Sequence, residues 1–365
     1  MNASQQAQPL PFLAQVKPYV PGEAPKAGGG RTFKLASNEN PLGPSPAAMA
    51  AAQAALAQAD IYPDGAARDL KAAISRRFGL DPARIVTGAG SDEIFLLLAR
   101  AYLAPGDESV STEHAFAIYA MVAQQQGAQV VIARERDLTA DVDTILACVT
   151  PRTKVVWLAN PNNPTGTYLP YPEIKRLHAG LPPDVLLLLD GAYAEFVRRN
   201  DYAAGVELAS ESDNVIVTRT FSKLYGLAGL RVGWGYAPRH VAEALERVRM
   251  PFNVSLPAQA AAIAALEDDA FVQTSLDHND RELARLIAEL RTMGLETPDS
   301  VGNFAVPRFA DAATAAAALA FLKTRGVTVR GLVAYGMADR LRVSVGTGDG
   351  VDAVLAGLRA FLGGR

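Results

Sequence analysis

Three short runs with continuously apolar centres mark the middle of the chain, at residues 154–158, 185–189 and 214–218. None alternates with polar residues, so each predicts a strand covered on both faces, as in a parallel sheet. A shorter strand is predicted at 84–87, closed by Gly88-Ala89-Gly90. Between these runs the period becomes helical: 46–59 is alanine-rich, 67–78 is amphipathic, and 94–103 follows Ser91 and Asp92, either a natural N-cap. Strands alternating with helices predict an α/β layer structure, a mostly parallel central sheet between helices.

Beyond Trp234 the texture changes. A polar helix is predicted over 239–249, Met250-Pro251-Phe252-Asn253 breaks it, and alanine-rich helices follow with strands near 303–306, 327–329 and 341–345. The first 35 residues are rich in Pro, Gly and Gln. Their triple glycine, Gly28-Gly29-Gly30, has no strand before it and reads as linker rather than phosphate cradle. The expected division is an N-terminal arm over 1–35, a large domain over 36–245 and a smaller α+β C-terminal domain over 246–365.

Bulk properties narrow the function. With 365 residues the chain can bury a sizeable core, and a net charge of −3 with both signs interspersed offers no basic face for nucleic acid. The single cysteine, Cys148, cannot form an internal disulfide. The N-terminus lacks a basic leader before an apolar core, and no apolar run is long enough to span a bilayer. A cytoplasmic protein with no membrane partner is expected.

In open parallel sheets, ligands bind beyond the carboxyl ends of the strands. The first strand there delivers Gly88-Ala89-Gly90-Ser91 ahead of a helix, either a tight turn or a seat for phosphate on free N–H groups. The second delivers Asn160-Pro161-Asn162-Asn163-Pro164, where prolines either hold the amides or simply make a turn. The third delivers Asp190, with Tyr193 three residues on; a carboxylate at a buried strand mouth needs a partner, or else caps a helix. The fourth delivers Thr220, Ser222 and Lys223, followed by Arg231. A lysine among apolar residues can lose its proton and become a nucleophile toward carbonyl compounds. Together these groups match one cofactor, pyridoxal 5′-phosphate (PLP), with its aldehyde, pyridine nitrogen, ring oxygen and phosphate.

Residues 160–166 (NPNNPTG), Asp190-Gly191-Ala192-Tyr193, Thr220-Phe221-Ser222-Lys223 and Gly229-Leu230-Arg231-Val232-Gly233 resemble the fold-type-I PLP-dependent aminotransferases, over nearly the whole chain. More narrowly, residues 34–46 (KLASNENPLGPSP), Tyr62-Pro63-Asp64 and 341–347 (LRVSVGT) resemble the histidinol-phosphate aminotransferase subgroup. The resemblance implies that Lys223 carries PLP as a Schiff base and shuttles the substrate proton. It implies that Asp190 pairs with the pyridine nitrogen, while Tyr193 and Asn163 bond the ring oxygen. Thr220, Ser222, Arg231 and the backbone at Ala89, Gly90 and Ser91 would take the phosphate, and Phe116 would stack on the ring. Tyr62 would reach the phosphate from the neighbouring subunit of a homodimer.

For the substrate the resemblance implies Tyr19, Asn163, Arg330 and Arg342, with L-histidinol phosphate as amino donor and 2-oxoglutarate as acceptor. Since a guanidinium takes phosphate or carboxylate alike, an aromatic amino acid aminotransferase is the alternative, and a threonine-phosphate decarboxylase shares the scaffold. His114 stands where the family usually has proline and is read as a loop histidine. His178, His240 and His278 lack metal-ligand spacing, so no metal site is expected.

Overall fold

The computed structural model describes residues 7–18 and 31–364. Strand β1 (Phe33–Leu35) comes first. A seven-stranded sheet is then built from β2 (Ile85–Gly88), β3 (Glu108–Thr112), β4 (Gln129–Ala133), β7 (Thr153–Ala159), β8 (Leu186–Asp190), β9 (Val215–Thr220) and β10 (Gly233–Tyr236). Its spatial order is β2-β10-β9-β8-β7-β3-β4. A small hairpin of β5 (Glu135–Arg136) and β6 (Thr139–Ala140) lies apart from it. Strands β11 (Phe304–Ala305), β12 (Val327–Gly331) and β13 (Leu341–Ser344) join β1 in a second sheet, ordered β1-β12-β13-β11.

Pairing from β4 through β9 is parallel, and only β10 runs antiparallel, to both β9 and β2. The continuous apolar runs are explained by cover on both faces. Val156, Leu158, Leu187, Leu189 and Val217 enter one core, while Val155, Trp157, Leu186, Leu188 and Ile216 enter the other. Helices Tyr171–Gly180 and Leu256–Glu267 pack into the first core, and helices Ser91–Tyr102 and Arg239–Val248 into the second.

Several boundaries move by a residue or two. The run at 185–189 becomes β8 at Leu186–Asp190, so Asp190 is the strand's last residue rather than the first beyond it. The expected cap also shifts. The N-cap of helix Ser91–Tyr102 is Gly90, with no side-chain cap bond, and Ser91 and Asp92 are already helical. Instead Glu93 reaches back and accepts the Ala89 N–H. At the helix Pro46–Ala55, by contrast, Ser45 caps in the usual way by accepting from Ala48 N.

Residues Phe33–Leu35 pair in parallel with Val327–Val329, tying the first strand of the chain to its C-terminal third. The third core collects Leu35, Leu286, Leu290, Val343 and Leu358 beneath that second sheet. The helix Asp269–Thr292 contributes its inner face to it.

Burial decides the stability of the central strands. Leu188 is 0% exposed whereas Ile132, on edge strand β4, is 48% exposed. Leu188→Ala is expected to cost about 2–5 kcal/mol in urea unfolding, and Ile132→Ala well under half of that.

Candidate active site

A pocket opens at the carboxyl ends of β7, β8 and β9, bordered by the start of helix Ser91–Tyr102 and by the second sheet. Lys223, three residues past the end of β9, is largely buried, and its Nζ donates to the Ser37 carbonyl at 3.0 Å. The ammonium lies 5.7 Å from the centroid of the Tyr193 ring. Burial, seconded by the nearby Arg342 charge, pulls the lysine down to about 8. Glu39 and Asp190 oppose that shift and lose.

Asp190 lies across the same pocket, buried. Its Oδ1 accepts from Ala192 N at 3.1 Å and from the Thr218 hydroxyl at 3.3 Å. Its Oδ2 accepts from the Tyr119 hydroxyl at 2.6 Å. Burial pushes the carboxyl up to about 6, and the three donors, Tyr119 first, restrain the rise. The Tyr193 hydroxyl accepts from Asn38 Nδ2 at 2.9 Å. Asn163 lines the pocket beside them and accepts from Arg342 Nη1.

The opposite wall gathers anion-binding groups. Arg231 Nη1 donates to Ser222 Oγ at 3.2 Å and Nη2 to Asp92 Oδ1 at 2.9 Å. The Thr220 hydroxyl accepts the Ser222 N–H at 3.1 Å, so loop and strand end move as one. Gly90 has φ +98°, and a Cβ there would lie 2.3 Å from Arg231 Nη2. Gly233 allows an equally close approach: its Cβ would lie 2.5 Å from Ser91 N. Strand β10 therefore presses directly on the turn that opens a twelve-residue helix, whose N-terminal N–H groups favour an anion.

These residues fit PLP. A lysine held near 8, a buried carboxylate with three donors, and a cradle too tight for any Cβ beside an arginine supply a counterpart for each polar end of that cofactor. Phe116 also lines the pocket, its ring edge-on to Tyr119 at 5.9 Å. Arg330 and Arg342 line it from the second sheet, where they are direct partners in the β12–β13 register. Arg342 Nη2 also donates to the Ala36 carbonyl at 2.7 Å.

Tyr62 is 80% exposed and stacks on Phe252 at 4.5 Å, away from its own chain's pocket. Tyr19 lies outside the described residues. His114 pairs with Glu135 at 2.8 Å and its carbonyl accepts from Asn162 Nδ2, so it braces the loop over the pocket. Among the described residues no group of His, Cys, Asp and Glu could hold a metal.

Sequence reading missed Tyr119, Asp92, Asn38 and Tyr335 as site residues. Tyr119 sits one helical turn beyond Phe116, a spacing that could have flagged it. Asp92 and Asn38 meet their partners only across 139 and 155 residues of chain.

The family profile described as aminotransferase class I and II matches residues 31–358. The chain belongs to this family. Histidinol-phosphate aminotransferase of Rhodopseudomonas palustris (strain BisA53) is 51% identical over 97% of this aminotransferase and 98% of the relative. The enzyme of the same description from Paramagnetospirillum magneticum is 52% identical, over 97% and 98% of the two chains. Among solved structures, histidinol-phosphate aminotransferase from Sinorhizobium meliloti in complex with pyridoxal-5′-phosphate superposes with a TM-score of 0.91 at 28% identity. The match covers 99% of this aminotransferase and 100% of that chain.

Two outcomes follow from this geometry. Reductive methylation of the apoprotein, read site by site by mass spectrometry, should show Lys223 modified with a midpoint near pH 8, against about 10.4 for surface lysines. Gly233→Ala should displace the Gly90–Ser91 turn and weaken PLP retention in equilibrium dialysis by roughly tenfold or more.

Proposed function

We propose that this aminotransferase transfers the amino group of L-histidinol phosphate to 2-oxoglutarate, giving imidazole acetol phosphate and L-glutamate, a step of histidine biosynthesis, with PLP as cofactor. The names of its relatives support the activity, and the PLP in the Sinorhizobium meliloti structure supports the cofactor. One observation carries the choice of donor. Arg330 and Arg342 stand as register partners at the mouth of the pocket that holds Lys223. Two adjacent guanidiniums suit a phosphate dianion on the donor, and later a carboxylate of 2-oxoglutarate.

When bound, PLP supplies an aldehyde carbon that links to an amine and a conjugated ring that accepts the electron pair left when a proton departs from the substrate's Cα. The chain's residues do the rest. Lys223 Nζ, neutral above about pH 8, would take the proton from the substrate's Cα and pass it to the carbon on the cofactor's side, the shift that moves the amino group. Asp190 keeps a negative charge facing the pocket, where it would hold a proton on the pyridine nitrogen. Tyr193 and Asn163 would donate to the ring oxygen. With the Ala89 and Gly90 N–H groups taken by Glu93 and the Gly88 carbonyl, Arg231, Ser222, Thr220 and the Ser91 backbone would hold the phosphate and keep the ring close to Lys223. Phe116 would cover its face and keep water from the reacting carbon.

The proposal includes a homodimer. Tyr62 and Phe252 form an exposed aromatic stack flanked by Ile61 and Met250, 57% and 63% exposed. Such a patch suits burial against a second copy, with Tyr62 reaching the partner's phosphate site. A cytoplasmic setting belongs to the same reading, and among the described residues no helix is long and apolar enough to cross a membrane.

The test is a half-reaction. PLP-loaded protein is mixed in turn with L-histidinol phosphate, phenylalanine, tyrosine and threonine phosphate, and loss of the bound cofactor's visible band is timed. Histidinol phosphate should react fastest, and Arg330→Ala should slow it about a hundredfold or more while barely touching phenylalanine. Faster reaction of the aromatic amino acids would reassign the donor, and carbon dioxide release from threonine phosphate would reassign the reaction. Tyr62→Phe should leave the sedimenting species a dimer yet weaken PLP retention by roughly tenfold.

A further inference from the structure

Asp190 must keep a charge although it is buried to 5% exposure, and burial alone works against that. Its donors are unevenly shared. Ala192 N and the Thr218 hydroxyl both go to Oδ1, at 3.1 and 3.3 Å. Among the described residues, Oδ2 has one donor, the Tyr119 hydroxyl at 2.6 Å.

Tyr119 is built in rather than passing through. It is 0% exposed on the helix Ala117–Gln124, its ring lies parallel to Trp157 at 5.6 Å, and Phe95 meets it edge-on at 5.1 Å. The same ring stands nearly perpendicular to Phe116 at 5.9 Å, so one aromatic column, Trp157–Tyr119–Phe116, runs from the sheet to the pocket. Burial and the neighbouring Asp190 charge hold the phenol well above its ordinary value, so it remains a donor across the neutral range.

We propose that Tyr119 is a positioning residue of this aminotransferase: its hydroxyl keeps Asp190 ionised and, by occupying Oδ2, fixes the direction in which the carboxylate faces the pocket. The inference rests on the assignment of Asp190 to the pyridine nitrogen only for its catalytic consequence. The bond itself is testable without cofactor. Other titratable groups around Asp190 are Lys223 beyond β9, Asp92 on the helix Ser91–Tyr102, and Tyr193 and Tyr202 after β8, while Tyr335 faces Tyr119. All of these stay in place in the variants below.

Apoprotein labelled with 13C at aspartate Cγ is titrated by NMR, the Asp190 signal being the one absent from Asp190→Asn. Its midpoint is expected near 6 in the unaltered chain. In Tyr119→Phe, which keeps the ring and removes the hydroxyl, it should rise by about one pH unit. Thr218→Val, which removes the longer bond, should move it less. Placing 3-fluorotyrosine at position 119 makes a stronger donor and should move the midpoint down, giving a readout even if Tyr119→Phe folds poorly. In the holoenzyme Tyr119→Phe should lower kcat about tenfold with KM nearly unchanged. A midpoint unmoved by the 3-fluorotyrosine substitution, or by Tyr119→Phe in a protein of unchanged thermal stability, overturns the proposal. A normal shift without change in kcat would leave the bond standing and overturn the role of Asp190 instead.

Discussion

Parallel pairing of β7, β8 and β9 in one register is the constraint on which the rest depends. It sets Ala159 beside Asp190 and Asp190 beside Thr218, so three distant segments end on one line. Everything chemical leaves the sheet just beyond that line: the asparagine loop after Ala159, the carboxylate at Asp190, and Thr220 to Lys223 after Thr218. Helices on both faces enforce the pairing, because strands this apolar have no solvent-facing side to offer. Slippage by one residue would exchange the two cores and turn Asp190 away from the pocket.

Desolvation then does the electrostatic work. The same burial lowers the Lys223 amine and raises the Asp190 carboxyl, moving both toward neutrality in the range where proton transfer is useful. Fixed partners stop the drift at different points. Three donors keep Asp190 charged below neutral pH, whereas Arg342 and Arg231 press Lys223 further toward its free amine. The nearby cations thus line the pocket and also favour the free amine of Lys223. The opening left between them is narrowed by backbone, with β10 packed on the Gly90–Ser91 turn too closely for a side chain.

The second sheet completes the pocket from outside the first. Pairing of β1 with β12 carries Ala36, Ser37 and Asn38 into the site, where they meet Arg342, Lys223 and Tyr193 respectively. Arg342 bonds the Asn163 amide as well, so the arginine of one sheet is locked to a loop of the other. Arg330 and Arg342 are thereby set side by side in the wall of the pocket that also holds Lys223.

The sequence by itself made β7, β8 and β9 legible as short apolar runs bounded by turn residues, whereas β1, β3, β4 and β10 were not predicted and appear only in the folded chain. It also marked Asp190, Lys223 and Arg231 as candidates, because each stands at or soon after a strand or turn end that can be read locally. Boundaries such as the Gly90 cap were less legible, because Ser91 and Asp92 have the right chemistry for a cap but a glycine with positive φ was needed beneath Arg231. What only the tertiary structure decided are the contacts made across long stretches of chain: Tyr119 on Asp190, Asn38 on Tyr193, Asp92 on Arg231, and Arg330 beside Arg342. No periodicity encodes such meetings. They arise when two sheets close on one pocket, and there a buried polar group is held by whichever partner the fold delivers.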